Sequence, residues 1–113
     1  MKKILFSVSL SFLCLFVSAQ PGDTKTMQET ARNFMLAGDY DNAIVVLNRA
    51  LDQDKNNLEL QKDLVLTYYM KRDFTRALEG VKNIVDRDDA DVVTYQICGN
   101  VYKGMEMTKE CER

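Results

Sequence analysis

Apolar residues recur at helical spacing from Met27 to Tyr102. The first stretch shows the pattern, because Met27, Ala31 and Phe34 fall on one face of a helix. Four later segments carry a similar face: Ala43, Ile44, Leu47, Ala50 and Leu51; Leu60, Leu64 and Tyr68; Ala77, Leu78, Val81, Ile84 and Val85; and Val92, Tyr95, Cys98, Gly99 and Tyr102. No stretch alternates apolar and polar residues for long enough to predict a strand. The pattern therefore predicts an all-α chain of five helices.

Short polar breaks separate the predicted helices. Gly38-Asp39 follows the first face, and a glycine suits the left-handed residue that comes after a helix. Asn56-Asn57 ends the second helix and supplies a cap for the third, while Asp91 is placed to cap the fifth. No proline follows Pro21, and good helix formers dominate the chain, so helix is predicted throughout.

The sequence repeats every 34 residues without a gap. Aromatic residues coincide at Phe34, Tyr68 and Tyr102. The other coincident positions include Thr30, Leu64 and Cys98; Ala31, Val65 and Gly99; Tyr40 and Phe74; and Ala43, Ala77 and Cys111. This register indicates helical units that stack on their neighbours to bury a common core.

A helix-turn-helix unit of this length resembles the tetratricopeptide repeat, and the segment from Ala37 to Ile44 carries the resemblance most clearly. The resemblance implies an α-solenoid of antiparallel helix pairs, with a glycine-acid-aromatic turn inside each pair. Ala31, Gly99, Ala43 and Ala77 resemble the small residues that let the helices approach, and Tyr40 and Phe74 resemble the turn aromatics. It implies repeat one at residues 24–57, repeat two at 58–91 and a partial repeat three at 92–113.

The third repeat departs furthest from the family pattern. Thr108 replaces the turn aromatic, and the chain reaches Arg113 partway into the predicted second helix of that pair. In repeat two, Val65 stands where a smaller residue is usual. Because such an array needs about three repeats to bury its core, we expect either a longer solenoid or a second subunit that covers the open end by self-association.

The resemblance implies protein or peptide binding in a concave groove, lined by the first helix of each repeat. The expected groove residues are Gln28, Arg32, Met35 and Leu36 in repeat one; Lys62, Leu66, Tyr69 and Met70 in repeat two; and Gln96, Asn100 and Lys103 in repeat three. Methionine and tyrosine suit an adaptable, partly apolar surface. The alternative is that Met35, Leu36 and Met70 only pack on a neighbouring helix. The carboxylate clamp of some family members is not matched, because Leu66 stands where an asparagine is needed.

The first 19 residues have the pattern of a cleavable signal peptide. Lys2-Lys3 precedes an apolar run from Ile4 to Val17, and Val17-Ser18-Ala19 predicts cleavage between Ala19 and Gln20. The run is shorter than the roughly 20 residues of a membrane-spanning helix, and bulky residues before Cys14 disfavour lipoprotein processing. Residues 20–23 are expected to form a short leader, and the mature protein to be periplasmic or secreted.

Composition narrows the function further. The net charge of −2 becomes more negative once Lys2 and Lys3 are removed, which disfavours nucleic acid as a partner. Histidine is absent, which excludes nucleophilic sites and metal sites that depend on it. No pair of acids is set apart for acid–base chemistry, and no cofactor, metal or small-molecule substrate is predicted. The acids from Asp86 to Asp91 lack the spacing of a calcium loop and indicate a turn.

Two cysteines, Cys98 and Cys111, remain after the predicted cleavage. In the family register they lie on facing helices of repeat three, so a disulfide is possible in an oxidising compartment. The alternative is two buried, small apolar side chains. The sequence therefore predicts an exported binding module and no enzyme, the alternatives being the structural end of a longer solenoid in a cell-envelope complex or the N-terminal repeats of an enzyme whose catalytic domain is missing.

Overall fold

The computed structural model describes residues 23–111, and only the backbone of residues 108, 110 and 111 within that range. The predicted signal peptide, residues 1–19, and most of the leader lie outside the described residues. Five helices follow one another along the described chain: α1 Thr24–Leu36, α2 Tyr40–Gln53, α3 Leu58–Met70, α4 Phe74–Ile84 and α5 Val92–Cys111. The described part of the chain contains no strand, and the predicted all-α class is confirmed.

The helices stack in chain order. Each helix packs on the next, and α3 also contacts both α1 and α5. The first helices begin at Thr24, Leu58 and Val92, and the second helices begin at Tyr40 and Phe74. Both sets of starts are 34 residues apart, so the sequence period is also the structural period. This stacking is that of an α-solenoid.

Side-chain caps define where the helices begin. The carboxylate of Asp39 accepts a hydrogen bond from the backbone N–H of Asn42 at 3.3 Å, and Asp73 does the same for Arg76 at 3.2 Å. Asn57 caps α3, as predicted. Each such bond satisfies a backbone donor that has no partner inside the helix.

Small residues bring the paired helices together. Ala31, Ala43 and Ala77 are all fully buried, as the family resemblance implies. Around them the buried residues form two apolar clusters, one mainly under α1 to α3 and one under α3 to α5. The first holds Ala31, Leu47, Ala50 and Leu60, and the second holds Val65, Ala77, Val81, Ile84, Ile97, Cys98 and Val101.

Val65, the large residue at a small-residue position, is accommodated by Gly80 on the facing helix. A Cβ atom added to Gly80 would overlap the Cγ2 methyl of Val65. The helix pair α3–α4 therefore still has one small residue where the two helices come closest. That residue lies on α4, whereas in the pattern of the family it lies on the first helix of the pair.

The predicted turn of repeat three is wrong. α5 continues from Val92 to Cys111 through the positions that correspond to the turns after α1 and α3. Met105-Glu106-Met107 stands where the second repeat has Lys71-Arg72-Asp73, so the aspartate cap is missing and helix formers replace it. Gly104 also lets α5 approach the ring of Phe74 closely.

A disulfide between Cys98 and Cys111 is excluded by this continuous helix. Thirteen residues rise about 20 Å along an α-helix, whereas a disulfide needs Cα atoms within about 7 Å. Cys98 is instead a buried free thiol, and burial raises its pKa. It packs in the second core cluster, as the alternative for this residue predicted.

Candidate functional site

A cleft of about 680 Å³ lies between the C-terminal ends of α1 and α3. The turn that follows α1 closes one side of it. The cleft is lined by Arg32, Met35, Leu36, Ala37, Gly38, Tyr40, Asp63, Leu66 and Met70. Most of these side chains are apolar, and the two charged ones stand together.

Leu36 dominates the apolar part of this α1–α3 cleft. Leu36 is 88% exposed, which is the largest exposure among the described large apolar residues, and Met70 beside it is 37% exposed. Leu36 is the last residue of α1, and the chain turns away at Gly38, whose φ is +75°. None of the five described helices therefore covers it. Met35 differs, because it is 8% exposed and belongs to the core.

A buried carboxylate organises the polar part of the cleft. Asp63 accepts hydrogen bonds from Gln28 Nε2 and from Arg32 Nε, both at 2.9 Å, and a longer one from Arg32 Nη2. Its hydrogen bond raises the pKa of the Arg32 guanidinium. Two side chains of α1 are thus attached to one acid of α3, which holds the two walls of the cleft in register.

A family comparison identifies the repeat. A family model described as tetratricopeptide repeat matches residues 34–96, which is more than half of the chain. The chain belongs to the tetratricopeptide repeat family. Comparisons with curated proteins and with solved structures find no match. Domains of this family mediate protein–protein interactions and are typically scaffolds without catalysis of their own.

The tetratricopeptide register placed five of the expected groove residues at the cleft: Arg32, Met35, Leu36, Leu66 and Met70. Gln28 joins them through its bond to Asp63. Sequence reasoning missed Asp63 itself. The repeat register could have indicated Asp63. It aligns with another acid, Glu29, one repeat earlier, and it is the neighbour of Lys62, which was predicted to line the groove.

Lys62 does not belong to the cleft. Its side chain is 5% exposed, and its ammonium group contacts Glu59 at 2.7 Å and Asp91 at 2.9 Å. Burial opposes its charge, but the hydrogen bonds from Lys62 to these two acids raise its pKa overall. Lys62 therefore connects α3 to the start of α5, and the prediction that it faces a ligand is wrong.

The other predicted groove residues of this tetratricopeptide array lie elsewhere. Tyr69 packs edge-on against Phe74, with ring centroids 5.9 Å apart. Gln96, Asn100 and Lys103 are exposed on α5 and do not line the α1–α3 cleft. The cleft is therefore built from the first two repeats alone.

A second cleft, of about 480 Å³, lies over α3 between α2 and α4. The guanidinium of Arg76 stands 5.9 Å from the ring centroid of Tyr68 at this cleft. Its rim carries mainly polar side chains, among them Asn48, Asp52, Lys55, Glu79 and Asn83. No residue of this α2–α4 cleft was predicted from the sequence to bind a ligand.

The acids between α4 and α5 form a turn, as predicted. Arg87 holds Asp89 by two hydrogen bonds, at 2.7 and 2.8 Å, and the Asp91 carboxylate caps α5 by accepting from the backbone N–H of Thr94 at 2.8 Å. Among the side chains that the structure describes, no group of three or more acidic or cysteine residues is placed to hold a metal ion. The helices described in residues 23–111 also include none long and apolar enough to cross a membrane.

Proposed function

We propose that the α1–α3 cleft binds an apolar segment of another protein. The observation that carries this proposal is the exposure of Leu36 inside a concave site. An isolated exposed leucine on a convex surface needs no explanation, but Leu36 shares a cleft with Met70, Leu66 and Tyr40. A site of this kind is concave, mostly apolar and supplied with a few polar groups, which is how binding pockets are built.

The pair of Arg32 and Asp63 gives the cleft an orientation. The Arg32 side chain is 51% exposed even though it contacts Asp63, whose side chain is 12% exposed. The outer part of the guanidinium therefore remains open to a ligand. We expect the bound segment to place an apolar side chain against Leu36 and a carbonyl or carboxylate near Arg32, since a guanidinium only donates hydrogen bonds.

The proposed site of action is the periplasm or the outside of the cell. The pattern from Lys2 to Ala19 supports export, and the partner would then be another envelope or secreted protein.

An extended or helical segment fits the cleft better than a folded surface, because the opening is confined to the ends of two helices and one turn.

A peptide selection tests the proposed function. Peptides that bind the purified protein would be selected from a random library. Their affinities would then be measured for the wild type and for the Leu36→Lys variant. Burying a leucine contributes about 1.5–3 kcal/mol, and about 1.4 kcal/mol is a tenfold change in affinity. Selected peptides should therefore be rich in apolar residues and lose roughly tenfold or more in affinity for Leu36→Lys.

Val45→Lys is the matched control. Val45 is 47% exposed on α2 and does not line the α1–α3 cleft. It makes the same change from an apolar to a charged side chain on a different surface, so affinity should stay at the wild-type level. The proposed function is wrong if peptides bind both variants equally, or if the selection yields no apolar preference.

A further inference from the structure

The exposed side of α5 carries an apolar stripe that no other described element covers. It consists of Val92, Tyr95, Gly99 and Tyr102, called the α5 face below. Val92 is 71% exposed, Tyr95 56% and Tyr102 50%, and no atom stands within 4 Å of a Cβ atom placed on Gly99. The spacing of three, four and three residues is that of a helix seam that packs on another helix.

The corresponding positions on α1 and α3 show what such a face does in this fold. Ala31 on α1 is fully buried beside α2, and Val65 on α3 is 2% exposed beside α4. Gly99 is the equivalent residue of α5, but α5 runs straight on and none of the helices described in residues 23–111 packs over it. The α5 face is therefore a helix-packing surface whose partner helix is missing from residues 23–111.

We infer that the α5 face binds the α5 face of a second copy of this chain, with the two helices antiparallel. The face is self-complementary in shape, because a small residue and a large one stand three positions apart. Around a twofold axis between residues 100 and 101, Tyr102 of each copy faces the open space over Gly99 of the other. Such an isologous contact closes on itself and yields a dimer.

Charges favour this antiparallel arrangement. It brings Lys109 of one copy level with Val92 of the other, next to the acidic turn that holds Asp91 and Asp89. It also places Glu106 opposite Tyr95, whose hydroxyl can donate a hydrogen bond to a carboxylate. Antiparallel helices further set the positive end of each helix dipole beside the negative end of the other. A parallel pair would place the two acidic turns side by side.

The contact is small, and the dimer is therefore weak. A fully covered tyrosine buries about 150–250 Å², so two half-exposed rings contribute about that area from each copy. Stable interfaces bury about 800 Å² per partner. We expect weak dimerisation, visible as a rise in mass with protein concentration.

Sedimentation equilibrium of the purified protein without peptide tests this inference. The wild-type protein should shift from monomer to dimer as its concentration rises. Gly99→Arg fills the open space on the α5 face and should weaken dimerisation at least tenfold. Since nothing lies near that position, the variant keeps the helical circular dichroism spectrum. Lys109→Glu should also weaken the dimer, because it places like charges beside the acidic turn.

Val93→Arg is the control, because Val93 is exposed on α5 but lies about a third of a turn away from Gly99. It should dimerise as the wild type does. A protein that stays monomeric at all concentrations overturns the inference. So does a dimer that Gly99→Arg and Val93→Arg affect equally, or one that Lys109→Glu strengthens, which would indicate another face or a parallel pair. Because no peptide is present, these outcomes are independent of binding in the α1–α3 cleft.

Discussion

The contact between Val65 and Gly80 shows how single residues preserve the close approach of paired helices. The repeat register places a small residue at position 31 and at position 99, but a valine at position 65. Aligning the repeats reveals the large residue at position 65. It cannot show that Gly80 makes room for it, because the equivalent position in repeat one holds Val46, which is not small. Only the packing of α3 on α4 shows that the two residues belong together.

Gly80→Ala should destabilise the fold. Alanine gains up to about 1 kcal/mol in helix propensity, but its Cβ atom overlaps Val65, and overpacking costs about 1–3 kcal/mol. Adding Val65→Ala removes the overlap, so the double variant should lose less stability than the two single variants together. Urea unfolding of all four proteins measures this coupling. Losses that add within about 0.5 kcal/mol would show that the residues act independently.

The turn after α1 depends on the backbone freedom of Gly38. Its φ of +75° lies in the left-handed region, where other residues lose roughly 1–2 kcal/mol. Arg72 occupies the equivalent position with φ +66°, and its guanidinium stands 5.7 Å from the ring centroid of Phe74. The register thus predicted the second turn correctly although its glycine is missing.

Gly38→Ala should cost about 1 kcal/mol in the free energy of unfolding because alanine is strained at that φ. Gly99→Ala is the control, since Gly99 is helical and has open space around it. There the same substitution should stabilise by about 0.5–1 kcal/mol. Urea unfolding of both variants shows whether the free energy of unfolding falls for Gly38→Ala and rises for Gly99→Ala. Equal effects of the same sign would contradict this account of the turn.

At the scale of elements, α5 is where sequence and structure differ most. The pattern from Val92 to Tyr102 predicted the helix and its cap. The family resemblance then added a turn that the residues themselves do not support, since Met105-Glu106-Met107 contains neither a glycine nor an aspartate cap. The helix-forming residues at 105–107 therefore continue α5 where the repeat pattern predicts a turn. The same turn was required by the disulfide considered between Cys98 and Cys111, which needed the helix to reverse.

The attachment of α5 to α3 should depend on pH. The hydrogen bond from Lys62, followed by those from Thr94, lowers the pKa of Asp91 from 3.8 to about 2. A carboxyl group whose pKa is lower in the folded state contributes stability above its unfolded pKa and loses it as the pH falls. Amide hydrogen exchange in α5 should therefore accelerate, relative to α1, between about pH 4 and pH 2.

Asp91→Asn tests the origin of that pH dependence. Asparagine still caps a helix but carries no charge for Lys62 to contact. Exchange in α5 should be faster than in the wild type at neutral pH and change less between pH 4 and pH 2. An unchanged pH profile in this variant would mean that Glu59 or another carboxylate anchors the helix.

At the scale of the whole molecule, the solenoid was predictable and its binding surface only partly so. The 34-residue period determines which helices stack, and hence that α1 and α3 lie side by side. The period cannot show that the open site lies at the ends of these helices, where Leu36 is left uncovered by the turn at Gly38. Nor can it show that Lys62 is drawn away from the groove by an ion pair with Asp91.

Export of the protein is a prediction from the pattern of residues 1–19. Protein recovered from the periplasm or the medium of a producing bacterium should begin at Gln20, which intact-mass measurement detects. Ala19→Arg should block processing, because the signal peptidase requires a small residue before the cleavage site. Recovery of an unprocessed wild-type chain that keeps Met1 would contradict the prediction.

Methyl chemical shifts can locate the surface of the protein that a peptide occupies, and so show whether it binds in the α1–α3 cleft. A selected peptide would be titrated into protein labelled on its leucine, valine and methionine methyl groups. Binding in the α1–α3 cleft should shift the methyl signals of Met35, Leu36, Leu66 and Met70, which line it. Shifts confined to Leu51, Leu64 and Val65, which line the α2–α4 cleft, would contradict it and move the binding site to the other side of α3.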